Sequence, residues 1–362
     1  MQLVEQGKLA LGDAFQLDRL APELKELKVL TRDSSESYTL VPQERRITLR
    51  MLMTHTAGFG HAFDDVKLSD CARPTGIDDF SRRREDVLLR PPVFQPGTGF
   101  QYGVSIDWVG VIIERATKTP LEEYFQTYIF SPLGVKDIAF YTTQTMKQRL
   151  VYMHQRAADG VLSVTDQLLR HTLVEPRYAT NEKILYGWLW MLRDAEGVFE
   201  NHGYAAQQRN LSEDERADIE VRNGTALVLT TPYVFQFTHT NLVLCKEIFT
   251  DQIPQYPIYH NYYCQSAKPT LANSCAIIPK PGNPTDGWGL TFMLSHEKSE
   301  TGRAAGSASW EGLANLYWFA DRVNGIAMIF ATQILPYGDL EAVKLFRAIE
   351  KGVYASCGLT TR

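Results

Sequence analysis

Residues 105–134 carry the clearest helical pattern in the chain. Ile106, Val109, Gly110 and Ile113 fall at i, i+3, i+4 and i+7, which marks one buried helix face. Ser105 sits where an N-cap would begin that helix. Thr119-Pro120-Leu121-Glu122 then supplies a capping threonine, a proline for the first helical position and a glutamate three after the cap. The spacing predicts a second helix through Phe130, stopped by Ser131-Pro132-Leu133-Gly134. Thr48 opens a shorter helix with Leu49, Leu52 and Met53 as its apolar side, ending at His55-Thr56-Ala57-Gly58. Met1–Gly7 reads as the last turns of an amphipathic helix, with Gly7 as its stop.

The period changes near the C-terminus. Trp288–Leu294, Leu313–Ala320 and Gly325–Gln333 are short β-rich runs, the last two joined by the turn Asp321-Arg322-Val323-Asn324. Leu340–Tyr354 is helical again, with Val343, Leu345, Phe346 and Ile349 apolar. Antiparallel strands closed by a helix predict an α+β layer at 283–355. Residues 48–182 read as a mostly helical lobe and 183–275 as an atypical insertion, all within one domain over 1–362. The stretch 12–46 reads as irregular chain anchored by Leu17, Leu20, Leu24, Leu27 and Leu30.

Composition narrows the function. Of 362 residues, 44% are hydrophobic and 22% charged, enough apolar surface for a real core. The net charge of −5 offers no basic field for a phosphate backbone, which excludes nucleic acid as partner. Arg82-Arg83-Arg84 runs straight into Glu85-Asp86 and reads as a solvated helix face. No apolar run reaches bilayer length, and the first residues lack a signal-peptide pattern. The five cysteines at 71, 245, 264, 275 and 357 are widely spaced, so reduced thiols and a cytoplasmic location are expected.

The usual chemical motifs are sparse. His55 and His61 stand near Asp64 and Asp65, but the pattern fits loop histidines better than a metal site, and no metal or cofactor is expected. Gly97-Thr98-Gly99 lacks the third glycine of a nucleotide loop. Gly103-Val104-Ser105-Ile106-Asp107 misses the last glycine of a nucleophile elbow. Ser295-His296-Glu297-Lys298 is the sole S-x-x-K match, and it ends a strand instead of opening a helix.

Several separated blocks nevertheless point one way. Ile47-Thr48-Leu49-Arg50-Met51-Leu52-Met53-Thr54-His55-Thr56-Ala57-Gly58 resembles a block of the class C β-lactamase-related serine hydrolases. Pro96-Gly97 with Gln101-Tyr102-Gly103-Val104 is similar to that family's tyrosine motif, and Ser131–Asp137 to its P-L-G segment. Gly306–Asn315 with Ala331–Pro336 resembles the fungal members, which include transesterases that acylate polyketides in secondary metabolism.

The resemblance implies a β-lactamase/transpeptidase-like fold, an antiparallel sheet with flanking helices beside the helical lobe. It implies serine-type acyl transfer, by ester hydrolysis or transesterification. Tyr102 matches the tyrosine that shuttles the nucleophile's proton. Trp310, Glu311 and Gly312 occupy the third motif, and Leu313 follows where a backbone N–H would bind the oxyanion. Val104 and Trp310 stand where β-lactamases carry asparagine and lysine, which favours a small-molecule ester or acyl thioester with an apolar acyl chain, free or carrier-bound, handled by a monomer. The family's S-x-x-K helix should end in a segment like Met1–Gly7, so nucleophile and N-terminal strands are expected before Met1. The alternative is a ligand-binding pseudoenzyme of the same fold.

Overall fold

In a computed structural model, residues 1–33, 37–63, 65–77, 79–80, 84–136, 138–140, 145, 148, 151–165, 225–230, 246–255, 271 and 286–359 are described. The chain divides into two compact units. A sheet unit comprises Met1–Glu5, Val151–Thr165 and Ala206–Arg362, and a helical unit comprises Gln6–Leu150 and Asp166–Ala205. Helix α1 (Gln2–Glu5) belongs to the sheet unit, and Gly7 beyond it takes a positive φ of 67° as a stop should.

The helical unit begins with more order than its composition suggests. Helices α2 (Ala14–Leu20) and α3 (Pro22–Glu26) precede a hairpin of β1 (Val29–Arg32) and β2 (Tyr38–Val41), where an irregular stretch was expected. Asp13 caps α2 and Pro22 opens α3, so local signals formed both helices. Leu17, Leu24 and Leu30 are buried as anchors. Helix α4 (Leu49–Met53) starts as predicted, with the Thr48 side chain accepting the Met51 N–H. Helix α5 (Val66–Thr75) is capped by Asp65 and closed by Gly76 in the left-handed region. In helix α6 (Arg84–Leu88) Glu85 is exposed, as a solvated face requires, but Asp86 is buried; Arg82 and Arg83 lie outside the described residues.

Two details of the central helices differ from the sequence pattern. Helix α7 (Ser105–Thr117) buries Ser105, Asp107, Trp108, Gly110, Val111 and Ile112; of the expected Ile106, Val109, Gly110 and Ile113, only Gly110 is among them, and the three others are half-buried. The run from Trp108 to Ile113 has no polar side chain to fix a face, and the Trp108 indole is wholly buried. Ser105 is the first helical residue and makes no cap; Val104 holds the cap position. Helix α8 (Leu121–Phe125) runs into a π-helical turn, Gln126–Phe130, reaching the predicted end. The capping box is absent, because Pro120 is the cap residue and the Thr119 hydroxyl donates to the Thr117 carbonyl.

In the sheet unit, β3 (His154–Arg156) and β4 (Leu162–Val164) form a small sheet. The large sheet is built from β5 (Thr225–Thr230), β6 (Asp286–Trp288), β7 (Met293–Ser295), β8 (Ala308–Gly312), β9 (Leu316–Asp321) and β10 (Ile326–Ala331). Its order is β5-β10-β9-β8-β7-β6, antiparallel throughout. Part of the stretch read as an insertion therefore supplies a strand of the sheet. Strand β11 (Ile334–Leu335) joins β3 in parallel, and α9 (Leu340–Ser356) closes the chain.

Strand alternation sorts the two sheet faces. Tyr317, Phe319, Met328 and Phe330 are buried in one cluster with Val343 and Tyr354 of α9, and Phe346 packs onto it. The turn after β9 is fixed by Asp321, which accepts the N–H groups of Val323 and Asn324, while Tyr354 donates to it from the helix. Among the described residues no helix is long and apolar enough to cross a membrane.

Asn315 ties the β8–β9 turn to the chain before α9. Its Nδ2 donates to the Ile334 and Pro336 carbonyls at 2.8 and 2.9 Å. Its Oδ1 accepts from the Tyr317 hydroxyl and the N–H groups of Gly338 and Asp339 at 2.7, 2.9 and 3.0 Å. The φ of 53° suits asparagine better than most residues. Asn315→Ala leaves buried backbone groups without partners, and urea denaturation should show a loss of about 3 kcal/mol or more.

Candidate active site

In the helical unit, Tyr102 is held by two segments that meet at backbone contact. After α4 the chain turns through His55, whose φ is 53°. The Gln101 N–H donates to the His55 carbonyl at 2.9 Å, and the Gly103 N–H donates to His55 Nδ1 at 3.4 Å. A Cβ at Gly103 would lie 2.4 Å from the Phe59 carbonyl oxygen and 2.5 Å from the Gly60 Cα, so only glycine fits.

The approach brings the Tyr102 ring close to two imidazoles. Ring centroids of Tyr102 and His55 are 4.6 Å apart, and those of Tyr102 and His61 are 5.8 Å apart. The stack continues from His55 to Phe100 at 6.0 Å, and from His61 to Phe63 at 4.9 Å and on to Phe80 at 5.6 Å. Tyr102 therefore lies within an unbroken run of aromatic rings.

The two histidines differ chemically. His55 is fully buried, and burial, with His61 alongside, pushes its imidazole down to about 3. It is neutral at ordinary pH, and because Nδ1 accepts from Gly103 its proton sits on Nε2. His61 Nδ1 lies 3.2 Å from Asp79 Oδ1, and Asp79 Oδ2 accepts the Ala62 N–H at 2.8 Å. Arg90 pairs with Asp79 and also donates to the carbonyls of Val87, Gly60 and Asp86. Burial alone would raise the Asp79 carboxyl, but Arg90 and His61 hold it down to about 2.

In the sheet unit, Trp310 and Gly312 lie on β8, and Leu313 follows directly. Trp310 pairs across strands with Trp318 and meets Trp288 edge-on at 4.6 Å. Glu311 points to the opposite face, where Tyr317 is its cross-strand partner and the Tyr337 hydroxyl donates to its Oε2. Burial pushes the Glu311 carboxyl up to about 8, against the pull of Tyr337, Arg303 and Arg347. The side chain of Leu313 packs against the cluster under α9.

The remaining candidates resolve plainly. Ser105 is fully buried at the start of α7. Ser295 ends β7 and its hydroxyl donates to the Ala304 carbonyl, with Lys298 exposed beyond it, so no serine–lysine pair on a helix is formed there. Among the described residues no group of His, Cys, Asp and Glu could hold a metal ion. His55 and His61 are more than loop histidines, and sequence reading missed their partners. Asp64 and Asp65 stood close in sequence, while the carboxylate that binds His61 is Asp79.

With this geometry in view, the chain belongs to the beta-lactamase family, whose model matches residues 1–209. Among its relatives, lovastatin esterase of Penicillium rubens is 39% identical over 94% of this chain and 78% of its own length. Monacolin J acid methylbutanoyltransferase of Aspergillus terreus is 27% identical over 98% of this chain and 78% of its own. Among solved structures, unliganded simvastatin synthase from Aspergillus terreus superposes with a TM-score of 0.64 at 24% identity, over 98% of this chain and 79% of that one. These matches bear out the antiparallel sheet and flanking helices of the β-lactamase/transpeptidase-like fold.

The two shifted groups give opposite pH slopes. His55 is neutral when folded and protonates near 6.5 when unfolded, so its contribution falls as pH drops from about 6.5 toward 3, by about 1.4 kcal/mol per unit. His55→Asn, which suits the left-handed turn, should remove that slope from pH-dependent denaturation curves. Glu311 keeps its proton when folded and releases it near 4.5 when unfolded, so its contribution falls as pH rises from about 4.5 toward 8. Glu311→Gln should therefore be the more stable protein at pH 8, by several kcal/mol, in the same measurement.

Proposed function

We propose that this protein is a serine-type acyl-transfer enzyme, acting by ester hydrolysis or transesterification in secondary metabolism. The observation that carries the reading is the Tyr102 ring, seated in a loop that matches the family's tyrosine motif and close to two imidazoles. A preorganised phenol is what a tyrosine base requires, because a ring already in place loses no orientation on reaching the transition state.

In this reading Tyr102 takes the proton of the attacking hydroxyl and returns it to the leaving group or acceptor. The Leu313 N–H stabilises the oxyanion, Gly312 lets the substrate approach the strand, and Trp310 forms an apolar wall. The resemblance assigns the nucleophile to the family's S-x-x-K helix, whose far end is similar to Met1–Gly7. Support comes from the order of the matching blocks and from relatives of which this chain spans 78%.

The substrate is a small-molecule ester or acyl thioester with an apolar acyl group. Val104 and Trp310 remove the amide and the cation that would meet a polar, anionic substrate. The named activities of the relatives, an esterase and a methylbutanoyltransferase, support the same chemistry.

Sequencing the transcript upstream of the Met1 codon tests the proposal. A reading frame with S-x-x-K roughly three helical turns before Met1 is expected; a message that starts at Met1 would overturn this account. In the encoded protein, Tyr102→Phe should lower kcat/KM toward an aryl ester by about 10²–10⁴-fold. Unchanged turnover would remove Tyr102 from the mechanism.

A further inference from the structure

The Tyr102 ring stack is joined to a chain of polar groups that folding alone does not call for. A buried ion pair is often no better for stability than well-packed apolar residues of similar volume. Arg90 and Asp79 are nevertheless both almost wholly buried, at 3% residual exposure each. The Arg90 guanidinium is fixed by three backbone carbonyls besides Asp79. Asp79 in turn directs one oxygen to Arg90 and His61 and the other to the Ala62 N–H. What this chain immobilises is the imidazole between Phe63 and Tyr102, stacked on Phe63 at an interplanar angle of 16°.

We propose that Arg90 and Asp79 are positioning residues that hold His61 as the polar neighbour of the Tyr102 phenol, easing its ionisation. The inference deepens the reading of Tyr102 as a base and rests on it. A phenol ionises near 10 in water and becomes a useful base near neutrality where dipoles or N–H groups face its oxyanion form. Phe63, Phe80 and Phe100 in the same stack offer none. His55, the nearer ring, is neutral, takes the Gly103 N–H on Nδ1 and keeps one N–H of its own on Nε2, so what sets His61 apart is its bond to Asp79. His61 alone couples the stack to the charged pair, and its orientation is set from behind by Asp79, as a carboxylate orients a catalytic imidazole.

The phenol can be read without turnover. In the folded protein labelled with 13Cζ-tyrosine, NMR titration gives the Tyr102 midpoint once Tyr102→Phe has assigned its signal. His61→Phe keeps a flat ring in the stack and removes the nitrogens; it should make the phenol about tenfold less acidic. A folded His61→Phe protein whose midpoint moves by less than about twofold would overturn the proposal. If that variant does not fold, the unaltered protein decides. The 15N imidazole signals of His61 should shift with the Tyr102 midpoint and stay still in Tyr102→Phe, and indifferent signals would overturn it equally. Full acyl transfer by Tyr102→Phe would defeat the base assignment and leave this coupling intact, so the two failures are separable.

Discussion

The contact between Gly103 and the Phe59–Gly60 backbone is the constraint on which the helical unit's site depends. No side chain fits between the two segments, and the hydrogen bonds from Gln101 and Gly103 to His55 close only because the backbones touch. That approach sets the spacing of Tyr102 to both imidazoles. It also explains why a short, polar-looking run from His55 to His61 is buried instead of lying on the surface, as loops usually do.

The sheet unit solves a different problem with similar means. Strand β8 must hold Trp310 on one face and Glu311 on the other, then turn sharply into β9. Asn315 satisfies the turn from within, and Tyr337, emerging from the chain that Asn315 grips, reaches back to Glu311. The third motif is thus braced from behind by groups that lie on the α9 side of the sheet. Buried polar groups of this kind are costly when half-satisfied and rigid when complete, and here the asparagine is complete.

Much of this was legible in the sequence. Thr48 announced its helix, and the Asp321–Asn324 turn separated its strands. What stayed hidden depended on partners distant in sequence. The phase of α7 could not be read because Trp108–Ile113 has no polar side chain and because Ser105 and Asp107 are buried despite their polarity. The Thr119 capping box had the right residues, but the backbone placed Pro120 at the cap and turned the threonine hydroxyl backward. His61 looked like an ordinary loop residue because Asp79 and Arg90 come close only after α5 and α6 have folded the chain back. Glu311 carried no local sign that its carboxyl would be buried beneath a helix at the end of the chain.

Strand β5 has a consequence for how the protein is made. Its partner, β10, lies on the order of a hundred residues further along, and β3 waits still longer for β11. Contacts of such separation form late, since the loop between them must close first. On the ribosome, β5 emerges well before β10 exists to pair with it, and β3, although β4 follows at once, keeps its other edge open until β11 is made, so both sheets complete only when synthesis is nearly over. Until then their open edges are liable to pair with other chains, which makes chaperone supply and growth temperature the factors that govern the yield of folded protein.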